Sequence, residues 1–198
     1  MLPTILDLAG VEKPEFMPGK SLMALAKGNE KEWAEYAFAG GTGSAPHFYY
    51  PRRSVRDKRF KLIHNINYHE ENPHVGFYNR RQGHFVAGTN LEETAALDAD
   101  MADVYRIWRN PPQFELYDLR NDPLEFENLS DNPEYKEELE YLKKVLKQWQ
   151  IDTKDPFNDP VKLQRFNQDI KDILEQYEGI SYRKDPDFKW KYVDYFNK

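Results

Sequence analysis

The segment YYPRRSVRDKR, residues 49–59, has the residue types that bind anions. Five of its eleven residues are Arg or Lys, although the whole protein carries a net charge of −6. An arginine guanidinium binds sulfate, phosphate or carboxylate through paired hydrogen bonds, and neighbouring rings offer a surface to a sugar. We therefore predict that Arg52 and Arg53 belong to a patch that recognises sulfate, phosphate or carboxylate, and His47 is a further candidate for substrate binding. The sequence leaves open the alternative that these basic residues form a solvated strand face.

No complete set of residues for nucleophilic or metal chemistry is visible in the sequence. The chain has no cysteine, which excludes Cys nucleophiles, disulfides and Cys-based zinc sites. The segment SAPHF, residues 44–48, begins like a Ser-x-Pro-x-Arg nucleophile motif but ends in Phe48. The segment YHEENPH, residues 68–74, holds two His and two Glu, but its two His are five positions apart with a proline between them, which does not suit one helix face. We predict no catalytic and no metal-binding residue here.

The composition argues against two classes of partner. The net charge of −6 and the pI near 5.5 do not suit a nucleic-acid surface, which needs a basic footprint. No apolar run of about 18 residues exists, so we expect no transmembrane helix and no membrane partner. The first residues also lack the basic region and the cleavage site of a signal peptide.

Short apolar and aromatic segments predict an antiparallel sheet. We predict a strand at 33–41 that ends in glycines, a hairpin within 47–68 that turns at Asp57 and Lys58, and a strand at 114–119. Because Pro51 cannot donate a backbone hydrogen bond, the first arm of the hairpin is expected to be an edge strand or to break there.

Helical periodicity follows the strands. Helices are predicted from the N-terminus up to Gly10, at 91–108 after Asn90 as a cap, at about 133–151 and at about 160–178. We expect Trp149, at the end of the third helix, to be buried against the sheet. The fold class is therefore α+β, a small antiparallel sheet packed against a long C-terminal helix. The apolar positions that define this helix are Tyr135, Leu139, Leu142, Leu146 and Trp149.

Several segments, taken in order, resemble the C-terminal part of the formylglycine-dependent sulfatases, and among them most resemble the heparan N-sulfatases. The resemblance covers residues 1–157 and implies that these are the family's C-terminal domain, with residues 1–10 ending the last helix of a preceding α/β domain. Residues 158–198 lie outside it and are expected to be a helical and aromatic extension. The segments are MLPTILDLAGV, PGKSL, SVRDKRFKLI, FELYDLRNDPLEFENLS and LKKVLKQWQIDTKDP.

This resemblance implies the substrate-side portion of an enzyme that removes sulfate from a sulfated sugar, with N-sulfated glucosamine of the heparan type as the more specific candidate. It implies that the formylglycine, made from Cys or Ser in C/S-x-P-x-R, and a calcium ion belong to an upstream domain. The chain by itself is then expected to be inactive and to hold no cofactor. Arg53 matches the family, whereas Ser44 and Ala45 stand where heparan N-sulfatases have a His-Glu pair.

Two further expectations follow from the resemblance and its alternative. Sulfatases of this type are exported, so a periplasmic, secreted or lysosomal location is implied. The alternative hypothesis is a free-standing, non-catalytic binding domain that uses the basic and aromatic hairpin.

Overall fold

The computed structural model describes residues 1–17, 19–29, 34–41, 48–80, 88–178 and 181–196. The chain divides into two compact units, Met1–Ala37 and Phe38–Lys198. In the part of the chain that is described, no helix combines the length and the apolar character needed to cross a membrane.

The first unit contains helices α1 (Leu2–Leu8) and α2 (Met23–Ala26). Helix α1 begins with a proline in its first turn, and the chain leaves it at Gly10, which has a φ of 66°. Proline suits a first turn and glycine tolerates positive φ, so the predicted N-terminal helix is confirmed with its end. The Ser21 hydroxyl donates to Asp7 Oδ2 over 2.5 Å, which links α1 to the segment before α2.

The second unit is built on a four-stranded sheet in the order β1-β2-β3-β4. Strands β2, β3 and β4 pair antiparallel, as the hairpin pattern predicts. Strand β2 lies between β1 and β3 and is therefore not an edge strand; the chain instead breaks at Pro51, directly before β2 begins. The bounds are β1 (Ala37–Gly41), β2 (Arg52–Arg56), β3 (Phe60–Asn65) and β4 (Phe114–Asp118).

One face of the sheet packs against the long helix α6 (Lys136–Asp152), which follows a 3₁₀ turn at Pro133–Tyr135. This face, called the helix face below, carries Arg53, Val55 and Leu62. The apolar contact between sheet and helix confirms the α+β prediction. The fully or almost fully buried apolar residues of the two layers are Val55, Leu62, Leu116, Leu142 and Leu146.

The last turns of α6 differ from the prediction in one respect. Trp149 is only partly buried, with its ring stacked on Phe38 of β1 at 5.0 Å between centroids. Gln150, one position later, is the buried residue at this end of the helix. The apolar periodicity therefore predicted Trp149 as the inward-facing residue at this end of α6, whereas Gln150 occupies that position.

The predicted helix at 91–108 is two helices, α4 (Leu91–Ala95) and α5 (Ala99–Arg109). Asn90 caps α4 as expected, but Asp98 then caps α5 by accepting a hydrogen bond from Met101 N over 3.0 Å. Aspartate competes for backbone donors inside a helix and favours such an N-cap, so the chain breaks at this point. Helix α3 (His74–Arg80) precedes this pair.

The C-terminal part consists of α7 (Pro160–Gln176) and the short α8 (Val193–Phe196), with 3₁₀ turns at Pro156–Asn158 and Tyr182–Lys184. Phe157, Phe166 and Ile170 form a core cluster against which Tyr49 and Ile66 pack. The domain boundary expected at 157/158 stays a prediction; Phe157, next to it, packs with Phe166 and Ile170 of α7.

The packing of α6 on the sheet can be tested by truncation. Leu146→Ala should lower the free energy of unfolding by about 2–5 kcal/mol, because Leu146 is 2% exposed and its removal leaves a cavity. Ile151→Ala is the matched control on the same helix, since Ile151 is 53% exposed, and it should change the free energy by less than about 0.5 kcal/mol. Urea denaturation measures both, and equal losses would contradict this packing.

Candidate functional site

The candidate site is the segment of residues 49–53, which leads into β2. Successive side chains of a strand point to opposite faces, so Arg52 and Arg53 lie on opposite sides of the sheet. The register agrees with this, because Arg52 pairs with Asn65 and Arg53 with His64. The two arginines therefore do not act on one group together. His47, the third predicted residue, lies outside the described residues.

Arg53 points to the helix face and forms a two-point ion pair with Asp155. Its Nε donates to Asp155 Oδ2 over 2.6 Å and its Nη2 to Oδ1 over 2.8 Å. The side chains are 9% and 3% exposed, so this is a buried pair. Nη1 donates to the backbone carbonyl of Arg52 over 2.8 Å, and the guanidinium lies 4.8 Å above the ring of Phe157. A contact between Arg53 and a sugar sulfate remains a prediction, and it would have to compete with Asp155.

The chain immediately after α6 holds Asp155 in place. Gln150 Nε2 donates to Asp155 Oδ2 over 3.0 Å, and the backbone N–H of Phe157 donates to Oδ1 over 3.2 Å. Burial alone raises the pKa of the Asp155 carboxyl, but the hydrogen bonds from Arg53 and Gln150 outweigh burial and hold the pKa below its usual value. Asp155 is thus a negative charge with several donors directed at it.

Sequence reasoning did not identify Asp155 as the partner of Arg53. The signal available was its position in the segment LKKVLKQWQIDTKDP, which resembles the sulfatase C-terminus. That resemblance marks the position but does not say what the carboxylate binds.

Arg52 points to the other face of the sheet, called the cavity face below. Its guanidinium lies 5.1 Å from the centre of the Tyr50 ring and lines a cavity of about 250 Å³. The apolar wall of this cavity comes mainly from α5. The other polar lining residues are Lys61, Glu115, Tyr117 and Glu125, and the apolar ones are Ile63, Val104, Ile107, Trp108, Pro111 and Phe126.

Most charges of this cavity already have partners. Lys61 Nζ forms an ion pair with Glu125 at 2.6 Å. The buried Glu115 carboxylate accepts hydrogen bonds from Asn65 Nδ2 over 2.7 Å and from the Tyr117 hydroxyl over 2.6 Å. Burial, and then the negative charge of Glu115, raise the pKa of Tyr117. Of the two cationic residues that line this cavity, Lys61 is paired with Glu125, whereas no ion pair is found for Arg52 among the described residues.

His64 and the segment YHEENPH, residues 68–74, lie within the described residues. His64 is half-buried, stacked on Phe114 at 4.7 Å, and its pKa is lowered by burial and then by Lys147 and Arg53. His64 thus lies half-buried on the helix face, where burial favours its neutral form. Within the described ranges no group of three or more His, Cys, Asp or Glu could hold a metal ion.

The amino-acid sequence is similar to that of known sulfatases. Residues 1–83 match the family model described as N-sulphoglucosamine sulphohydrolase, C-terminal. An ulvan-active sulfatase of Formosa agariphila is 33% identical over 151 residues, which covers 75% of this chain and 27% of that protein. The human N-sulphoglucosamine sulphohydrolase is 29% identical over 174 residues, covering 79% of this chain and 32% of that protein.

Solved structures give the same result for the fold. A 2-O GAG sulfatase superimposes with a TM-score of 0.53 at 22% identity, covering 80% of this chain and 25% of that one. A protein in complex with its substrate, D-glucosamine-2-N,6-O-disulfate, gives 0.51 at 25% identity, covering 80% and 24%.

The chain therefore has the fold and sequence of the C-terminal portion of sulfatases. Within that class, residues 1–83 correspond to the C-terminal family of the N-sulphoglucosamine sulphohydrolases, which confirms the resemblance recognised in the sequence. The chain spans about a quarter of the length of the first curated relatives it matches.

The Arg53–Asp155 pair predicts a large and coupled stability effect. Arg53→Ala or Asp155→Ala should each cost about 3–5 kcal/mol, because each leaves the other charge buried without a partner. The double variant should lose clearly less than the sum of the two. Arg56→Ala, at the exposed end of the same strand, is the control and should change little. Additive losses in urea denaturation would show that the two residues do not stabilise each other.

The same pair predicts a pH dependence. Because the pKa of Asp155 is lower in the folded protein, the unfolded chain binds a proton more readily. The stabilisation is then present above the unfolded Asp pKa of about 3.9 and is lost as the pH falls through the lower folded value. Asp155→Asn should flatten the decline of the urea midpoint on acidification, relative to Asp152→Asn on the surface of α6. An unchanged slope would contradict this assignment.

Proposed function

We propose that this chain is the substrate-side C-terminal portion of a sulfatase that hydrolyses sulfate from a sulfated sugar. The observation that carries the proposal is the similarity of its sequence to sulfatases over about three quarters of this chain, and a quarter to a third of theirs, together with the shared fold. Because the chain corresponds to about a quarter of these sulfatases, the match supports a C-terminal portion that works together with the rest of such an enzyme.

The first unit supports a larger remainder for a physical reason. Helix α1 leaves Leu2, Ile5 and Leu8 more than half exposed, and Phe16 in the following segment is 86% exposed. A run of large apolar residues on one short helix is costly in water and marks a surface that another part of a protein covers. We propose that this part is an upstream sulfatase domain.

The formylglycine and the calcium ion of the family are proposed to belong to that upstream domain. Formylglycine is made from Cys or Ser within C/S-x-P-x-R, and the segment SAPHF breaks that motif at Phe48. When present, the group supplies the sulfate-cleaving chemistry. This chain's contribution is then to bind and orient the sugar.

For the substrate, we propose a sulfated amino sugar, with N-sulfated glucosamine as the specific candidate. Arg52 lines the cavity on this face with a guanidinium for which the described residues show no ion pair, and a guanidinium binds a sulfate through two parallel hydrogen bonds. A structural relative solved with D-glucosamine-2-N,6-O-disulfate supports this choice of substrate class.

The proposal is tested by assaying the chain alone and joined to the upstream coding sequence. The substrate is D-glucosamine-2-N,6-O-disulfate and the readout is released sulfate. The 198-residue chain alone should release none, whereas the longer protein should. In the longer protein, Arg52→Ala should lower kcat/KM about tenfold, or about 1.4 kcal/mol, while Arg120→Ala at an exposed turn should not.

Two results would overturn this proposal. Turnover by the isolated chain would show that it holds its own catalytic group. An upstream sequence that lacks C/S-x-P-x-R would favour the alternative, a free-standing binding domain that uses the basic hairpin.

A further inference from the structure

Tyr49, the first residue of the candidate segment, is enclosed by rings from the C-terminal part of the chain. Its ring contacts Phe166 of α7 at 5.1 Å, Trp190 at 5.9 Å and Tyr192 at 6.3 Å, all edge to face. These are favourable distances and angles for aromatic pairs. Burial, and then a hydrogen bond with the Tyr192 side chain, raise the pKa of Tyr49. Tyr49 is thus held by side chains more than a hundred positions away.

The same ring cluster reaches the other end of the segment through Phe157. Phe157 contacts Phe166 at 5.2 Å and Phe196 at 5.1 Å. The Arg53 guanidinium lies 4.8 Å from the centre of the Phe157 ring. Tyr49 is therefore held by the cluster directly, and Arg53 is held through one intervening ring.

Residues 181–196, called the C-terminal ring segment below, are fixed to α7. The Tyr195 hydroxyl donates to Asp169 Oδ2 over 2.7 Å, and Arg165 lies 4.3 Å above the Tyr195 ring. At the other end, the Tyr177 hydroxyl donates to Asp185. Both ends of the C-terminal ring segment are thereby held in place, so Trp190 and Tyr192 contact Tyr49 from a fixed position.

We propose that the C-terminal ring segment positions the candidate sugar-binding segment, with Trp190 and Tyr192 as positioning residues that act through Tyr49. Neither the family match, which ends at residue 83, nor any periodicity gives residues 181–196 a role. The proposal rests on the proposed function only in so far as Arg52, within residues 49–53, binds the sugar. A binding group held in one orientation loses less freedom when its ligand arrives, which is the advantage such positioning supplies.

The test is amide hydrogen exchange in the 198-residue chain, followed by mass spectrometry of peptides that cover residues 48–53. Trp190→Ala should speed exchange in these peptides about tenfold, while peptides from β3 and α6 keep their protection. Trp190→Phe should restore most of the protection, because a ring still fills the position. Phe188→Ala is the matched control: Phe188 contacts Trp190 at 4.9 Å, whereas the rings that contact Tyr49 in the described part of the chain are those of Phe166, Trp190 and Tyr192.

The possible outcomes separate the alternatives. Faster exchange confined to residues 48–53 in Trp190→Ala, with rescue by Trp190→Phe, supports positioning. Unchanged exchange at 48–53, an equal effect of Phe188→Ala, or a loss of protection that extends through β3 and α6 would each overturn it, the last by showing a general stabilising role. Because this readout needs no turnover, its failure is distinguishable from failure of the sulfatase proposal.

Discussion

The buried ion pair between Arg53 and Asp155 is the constraint on which the rest of the site depends. It joins the second residue of β2 to the turn after α6, 102 positions later in the chain. Removing two charges from water costs free energy unless their hydrogen-bonding groups are satisfied. Here the Gln150 side chain and the Phe157 backbone N–H donate the further hydrogen bonds to the Asp155 carboxylate. The geometry fixes the end of α6 relative to the first strand of the hairpin. Moving either element would break several charge-assisted hydrogen bonds at once.

This pair also decides what the neighbouring arginine can do. Because Arg53 is committed to the helix face, strand alternation directs Arg52 to the cavity face. The carboxylates of this cavity already have partners. Glu125 forms an ion pair with Lys61, and Glu115 accepts hydrogen bonds from Asn65 and Tyr117. Two adjacent residues of the same type thus have different roles. Arg53 is part of the internal structure, whereas Arg52 lines the cavity, where the proposed function assigns it the sulfate group.

The sequence predicted the local elements well and the long-range partners poorly. The hairpin, α6 and α7 follow from apolar periodicity and from capping residues, which are local properties of the chain. The break at Asp98 was missed because an aspartate can be a helix surface residue or an N-cap, and only the packing of α4 and α5 selects between them. The partner of Arg53 was missed because a buried ion pair across 102 positions leaves no periodic signal. The position of Arg52 and Arg53 on opposite faces of the sheet was predictable from the sequence, since side chains alternate along a strand.

The ion pair and the C-terminal ring cluster meet at one residue. Phe157 follows Asp155 by two positions, donates its backbone N–H to that carboxylate, and places its ring against the Arg53 guanidinium. Its other contacts are Phe166 and Phe196. These rings exclude water from the pair, and a charge pair in a drier environment attracts more strongly once its donors and acceptors are satisfied. The helices beyond residue 157 therefore do more than extend the chain. Their aromatic rings shield the Arg53–Asp155 ion pair from water, so this pair can join β2 to the end of α6 inside the protein.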